Sequence, residues 1–254
     1  MSYEFIQTSV RDGVASIVLN RPPLNILHIA MMQEINAALT DLAGQSVKLL
    51  VFKAEGKAFS GGVEVAEHLG GTATQMIEEF HAMFRNMDTL AVPSIAAVNG
   101  AALGGGCELA AYCDLVIASE KAKIGQPEIQ VGVFPPIAAL IFPRIMGRKK
   151  AMELILSGDI LSAQESKDLG LVNQVVSHEQ FADEAEAFIA KFAAMSGPVL
   201  QYARSATLAG LTDRDPKVLE TIEDLYLNGL MLTEDAIEGL QAFLDKRKPV
   251  WKEK

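Results

Sequence analysis

On either side of Asp12-Gly13 the stretch YEFIQTSVRDGVASIVLN alternates polar and apolar residues, the two-residue period of half-buried strands joined by a tight turn. The first two strands are therefore predicted to run antiparallel. After RPPLN the period lengthens: Ile29, Met32, Ile35, Leu39 and Leu42 share one helical face, and Gly44 closes the segment. VKLLVFKA at 47–54 predicts a buried strand, Gly56, Gly61 and Gly62 a loop, Met76 to Leu90 an amphipathic helix, and SIAAVNG another buried strand. Helix-forming CELAAY, strand-like DLVIAS and the short AKIG lead to a loop at 126–136, QPEIQVGVFPP. From about Ser177 the pattern is helical almost to the end, interrupted at Gly197-Pro198 and at TDRDP, 212–216. The order predicts an α/β core over 1–196 followed by a helical region over 197–254, suited to oligomer contacts.

Composition narrows the classes of partner. The 254 residues carry 22 Lys+Arg against 32 Asp+Glu, a net charge of −10, which disfavours nucleic acid and anionic membranes as partners. The uncharged stretch from Thr89 to Cys107 is about as long as a membrane span, but Pro93, Asn99 and its glycines make it a buried strand and turn. Two cysteines in a buried-looking segment and no secretory leader predict a reduced, cytoplasmic protein.

The candidate chemistry centres on AALGGGCELAAY, 101–112. Three contiguous glycines weaken a regular element, so the backbone itself is wanted there, either for close helix packing or for its N–H groups at a helix N-terminus. A dinucleotide fingerprint is disfavoured because Leu109 stands where a third glycine belongs, and no Gly-Lys-Ser/Thr phosphate loop occurs. Free N–H groups could instead serve an oxygen that gains charge during reaction. Glu108 sits in the first helical turn, and Glu128 follows in GQPEI; two carboxyl groups could divide acid and base work. His28, His68, His81 and His178 show no metal-ligand spacing, so no metal is expected; His68 follows the 58–65 loop closely enough to face a pocket. Ser60, in FSGGV, lacks the surroundings of a nucleophilic serine.

AFSGGVEV at 58–65, IAAVNGAALGGGCELAAYCDLVIAS at 95–119, AKIGQPEIQVGVFP at 122–135, GDILSAQESKDLGLVNQVV at 158–176 and FLDKRKPVW at 243–251 together resemble the crotonase, or enoyl-CoA hydratase/isomerase, superfamily. The resemblance implies a core of repeated ββα units, a C-terminal helical region packing between subunits, and a homotrimer or a homohexamer built as a dimer of trimers. It implies an acyl-CoA thioester as substrate and no dissociable cofactor. By position, the N–H groups of Val63 and Gly105 would hold the thioester oxygen, and Glu108 and Glu128 would be the catalytic pair of a hydratase, with Glu128 the proton donor. The backbone from Ser60 to Val65, with Gly61 and Gly62, is expected to line the CoA groove, His68, Gly104, Phe134 and Pro135 to bind the substrate or CoA as well, and Lys57 or Lys246 to approach the phosphates.

Where common hydratases carry a glycine-rich segment after GQPEI, this chain has GVFPPIAALIFPRIMG; Phe134, Pro135 and their apolar neighbours predict a stiffer, greasier wall. In this the chain is similar to the hydratases of cyclohexa-1,5-diene-1-carbonyl-CoA, which implies 1,4-addition of water to give 6-hydroxycyclohex-1-ene-1-carbonyl-CoA in anaerobic aromatic degradation. The alternatives are a general enoyl-CoA hydratase, a double-bond isomerase, and a non-catalytic acyl-CoA- or RNA-binding paralogue.

Overall fold

β1 (Ile6–Arg11) and β2 (Val14–Leu19) form the predicted hairpin, and both turn residues take positive φ, 51° at Asp12 and 78° at Gly13, as a two-residue turn between twisted strands requires. The structure, a computed structural model, describes residues 3–212 and 225–254. The predicted helix becomes α1 (Ile29–Ala43), which buries Met31, Met32, Ile35, Ala38, Leu39 and Leu42 and is followed by Gly44.

From there the chain repeats one motif. β3 (Leu49–Ala54) is followed by β4 (Ala58–Ser60) and α2 (Ala73–Leu90); β5 (Ser94–Val98) by β6 (Ala101–Leu103) and α3 (Gly105–Tyr112); β7 (Leu115–Ser119) by β8 (Lys123–Gly125) and a 3-10 turn, Pro127–Val131. The first strand of each unit joins a six-stranded sheet, ordered β1-β2-β3-β5-β7-β10, where β10 is Gln174–Val176. The second strand of each joins a smaller sheet, β4-β6-β8-β9, where β9 is Ile160–Ser162. Leu49, Leu50, Val51 and Phe52 of β3 are all buried, as are Ser94 to Val98 of β5. Burial on both faces explains why these parallel strands read as unbroken apolar runs.

The small sheet places the chemistry. β4, β6 and β8 run parallel, with Ser60 opposite Ala102 and Leu103 opposite Gly125. Neighbouring strands lie about 4.8 Å apart, so the three loops that leave their carboxyl ends, at 61–64, 104–105 and 126–128, must emerge side by side. β4 and β6 lie inside stretches read from the sequence only as glycine loops; three residues are too few to show a period.

α4 (Pro136–Met146) and α5 (Arg148–Ser157) follow the third unit, and α6 (Ala163–Asp168) opens with a capping box between Ser162 and Glu165. Among the described residues the C-terminal helices are α7 (Phe181–Ala193), α8 (Gly197–Thr212) and α9 (Glu234–Leu244). Thr212 ends α8, and the remainder of the break expected at 212–216 lies outside the described residues. Arg204 on α8 reaches the core, its Nε 2.8 Å from Asp114 Oδ2, while inside the C-terminal region Ser196 Oγ donates to buried Asp235 at 2.6 Å and Trp251 Nε1 donates to the Ala194 carbonyl. Cys107 and Cys113 are buried and free. No helix among the described residues is long and apolar enough to cross a membrane.

Candidate active site

The turn between β6 and α3 touches the loop after β4. A Cβ on Gly105 would lie 2.6 Å from Val63 Cγ2 and 3.1 Å from the Phe80 ring, and one on Gly106 would lie 2.5 Å from Ser60 Cβ. Both positions must be glycine for the segments to approach this closely, so the packing and functional readings of the glycines hold together. Gly105 N–H is one of the orphan donors at the start of α3, whose first internal bond is Glu108 N–H to the Gly104 carbonyl. Val63 forms a parallel bridge with Leu27, in which Leu27 N–H donates to the Gly62 carbonyl and Glu64 N–H to the Leu27 carbonyl. Alternate peptide groups of an extended chain face opposite sides, so Val63 N–H points away from Leu27. Among the described residues neither Val63 N–H nor Gly105 N–H makes a hydrogen bond.

Glu108, 2% exposed, bonds to a different helix from the one that carries it. Its Oε1 accepts from Ile137 N–H at 2.7 Å and Ala138 N–H at 2.8 Å, the orphan donors of α4, and Oε2 makes no hydrogen bond among the described residues. Burial pushes its pKa up to about 8; the two amides pull it down, and the charge of Glu128 adds to the rise. Burial also pushes Glu128 up to about 7. A Cβ on Gly104, which has φ 50°, would lie 2.7 Å from Glu128 Oε1. The two carboxyl groups and the two orphan amides therefore belong to one place, at the edge of the small sheet where its three loops and the first turn of α3 meet.

Gln126 is the member of this group that the sequence did not single out, although it stands in the quoted GQPEI. It is buried, and with its amide nitrogen turned toward its acceptors it donates to Glu128 Oε1 and Oε2 at 3.1 Å each and to the Gly104 carbonyl at 3.3 Å. A buried amide two residues before a carboxylate was the available signal.

The other expected residues divide. Gly61 and Gly62 lie on the loop after β4, exposed Val65 opens the 3-10 turn Val65–His68 that follows it, and half-buried His68 bonds the Glu64 carbonyl through Nδ1. Phe134 is 67% exposed and Pro135 is buried at the start of α4. Ser60 needs correcting: it has no exposed surface, and its hydroxyl donates to the Asn25 carbonyl and accepts from Gly62 N–H, so it works inside the loop and not on a ligand. Lys57 and Lys246 are exposed and far apart in sequence, and neither shares an ion pair with a described residue.

With this geometry in hand, comparison with known proteins is decisive. The profile of the family described as enoyl-CoA hydratase/isomerase matches residues 9–254. The chain belongs to the enoyl-CoA hydratase/isomerase family. Among its relatives in this family, a probable enoyl-CoA hydratase of Rhizobium meliloti is 38% identical over 256 residues, covering 99% of both chains. A cyclohexa-1,5-dienecarbonyl-CoA hydratase of Thauera aromatica is 37% identical over 243 residues, covering 95% of this chain and 94% of that one. The crystal structure of an enoyl-CoA hydratase from Bacillus anthracis superposes with a TM-score of 0.90 at 32% identity, covering 99% of this chain and 100% of that one. The crotonase-like architecture expected from the resemblance is thus the architecture found.

For this member of the enoyl-CoA hydratase/isomerase family, the contact between Gly104 and Glu128 makes a direct prediction. Gly104→Ala should displace the Glu128 carboxylate and lower kcat by about a hundredfold, at a stability cost of about 1–2 kcal/mol for a side chain at positive φ. Steady-state kinetics beside thermal melting checks this; unchanged kcat in a folded variant would show that Glu128 does not need its place over Gly104.

Proposed function

We propose that this protein is a hydro-lyase that adds water to an α,β-unsaturated acyl-CoA thioester, with cyclohexa-1,5-diene-1-carbonyl-CoA as its substrate. The observation that carries the reading is the meeting of two orphan amides with a buried and a half-buried carboxyl group, Glu108 and Glu128, whose proton affinities are both raised into the neutral range. Such a pair can hold one proton and one negative charge near neutral pH, as the addition of water requires.

The residues then divide the work. Val63 and Gly105 donate to the thioester oxygen, where charge builds as the enolate forms; one such donor contributes about 2.7–4 kcal/mol to the transition state. Glu108, with Oε1 held by α4, offers Oε2 to a water and, in its ionised form, which becomes the major one only above about pH 8, takes the water's proton as oxygen bonds to the ring carbon β to the thioester. The electron pair of the ring double bond moves into the enolate, and on its return the far end of the diene takes the proton carried by Glu128. The bond count balances, the product being 6-hydroxycyclohex-1-ene-1-carbonyl-CoA, and no dissociable cofactor is called for.

The cyclic substrate is supported by the Thauera aromatica relative and by the run from Phe134 to Leu140, whose apolar side chains and buried Pro135 favour a flat apolar ring. The exposed Met152, Leu156, Leu232, Ile237 and Leu240 support a homotrimer or homohexamer, and the free buried cysteines accord with a cytoplasmic location. The purified protein should convert the cyclic dienoyl-CoA to a product heavier by one water, with solvent oxygen incorporated, and convert crotonyl-CoA far more slowly. Fast crotonyl-CoA hydration without cyclic activity would overturn the substrate, and a product of unchanged mass would overturn hydration in favour of isomerisation.

A further inference from the structure

The loop that carries Val63 is held from one side by a segment that takes no part in the chemistry. Asn25, fully buried, sits at φ 51° between Arg21 and Leu27. Every hydrogen-bonding group it offers is used. Its N–H donates to the Arg21 carbonyl and its Oδ1 accepts from Arg21 N–H, both at 2.8 Å; its Nδ2 donates to the carbonyls of Glu55 at 2.9 Å and Ala58 at 2.8 Å. Its own carbonyl accepts from Ser60 Oγ at 2.8 Å, and Ser60 Oγ accepts in turn from Gly62 N–H at 3.2 Å.

On either side of this residue the backbone continues the attachment. Gly61 N–H donates to the Leu24 carbonyl at 2.7 Å, Leu27 N–H to the Gly62 carbonyl at 2.8 Å, and Glu64 N–H to the Leu27 carbonyl at 2.9 Å. A buried backbone polar group needs a partner, so where each bond goes fixes how each peptide plane turns. With the N–H groups of 61, 62 and 64 and the Gly62 carbonyl all committed to the Leu24–Leu27 side, the Val63 N–H is the one turned the other way, toward the side where Leu103, Gly104 and Gly105 pack against Gly62.

We propose that Asn25, acting through Ser60, is a positioning residue that aims the Val63 N–H at the thioester oxygen. This rests on the reading of Val63 and Gly105 as the oxyanion donors and adds to it what sets their direction. The left-handed backbone of Asn25 presents its carbonyl to Ser60, and the Asn25 side chain fastens that turn to both ends of the connection into β4. Neither residue touches the substrate.

Two variants test this, read by kinetics and by the carbonyl stretch of bound cinnamoyl-CoA, a conjugated thioester whose hydration is disfavoured. Ser60→Ala removes the hydroxyl that joins the Asn25 carbonyl to the Gly62 N–H and leaves the Asn25 side chain in place; Asn25→Gly removes the side chain and keeps the freedom to adopt positive φ. Both are expected to lower kcat about 10- to 100-fold with KM within about twofold, and to return the carbonyl band toward its position in free cinnamoyl-CoA. A band unshifted in the wild-type complex would overturn the oxyanion reading itself. A normal wild-type shift that both variants retain, with kcat unchanged or falling only with the folded fraction in a melting curve, would leave that reading standing and overturn the role of Asn25 and Ser60. Should Asn25→Gly fail to fold, Ser60→Ala alone decides between these outcomes.

Discussion

Glu128→Gln and Glu108→Gln are each expected to lower kcat for water addition by about 10²- to 10⁴-fold, with KM for the thioester little changed. The exchange replaces one oxygen by nitrogen, so the amide contacts from α4 to Glu108 and the place of residue 128 above Gly104 can survive; what is lost is the capacity to take or give a proton. The two losses should not add, since a pair that divides one proton transfer between its members fails when either is removed. Steady-state rates for the two single variants and the double variant make the measurement. A drop of less than tenfold in either single variant would remove that residue from the chemistry. If both variants retained full activity, the non-catalytic paralogue would be the better description.

Stability should move the other way. In the unfolded chain Glu108 has an ordinary carboxyl pKa near 4.5, and in the folded protein burial pushes it up to about 8. Below pH 4.5 the group is protonated in both states and costs nothing. As pH rises from there toward 8, the unfolded chain releases its proton while the folded one retains it, so folding loses stability throughout that window and the loss levels off above it. Glu108→Gln removes the titration, and the variant should be more stable than wild type at pH 8.5 by on the order of a few kcal/mol, with little difference at pH 4.5. Urea unfolding at the two pH values reads this directly, and a gain independent of pH would mean that the carboxyl is not held neutral by burial. A more stable and inactive variant is what a strained catalytic carboxyl implies.

How far the chain could be read from its sequence differs between the two sheets. The strands of the large sheet announced themselves, because burial on both faces leaves runs such as LLVF and SIAAV without a charge, and the Asp12-Gly13 turn fixed the first hairpin. The small sheet was hidden: β4 and β6 are three residues each, too short for any period, and lie where glycines suggest only loops. Yet it is this sheet that brings Val63, Gly105 and Glu128 to one edge. The pair Glu108 and Glu128 was visible as two carboxylates out of place in apolar surroundings, whereas the partner of Glu108 was not, because the N-terminus of α4 meets it from 29 residues away. Ser60 was misplaced for the same kind of reason: the side of a loop that faces inward is decided by Asn25 and the RPPLN segment, whose contacts are long-range.

The grip of α4 on Glu108 ties two properties that enzymes more often tune apart. The helix that begins beside Phe134 and Pro135 and presents Leu140 also supplies the two amides that hold the carboxyl oxygen. Reshaping that wall to admit a different acyl chain would shift those amides, and with them the acidity of the base, so a change of substrate range in this scaffold should arrive together with a change of pH optimum.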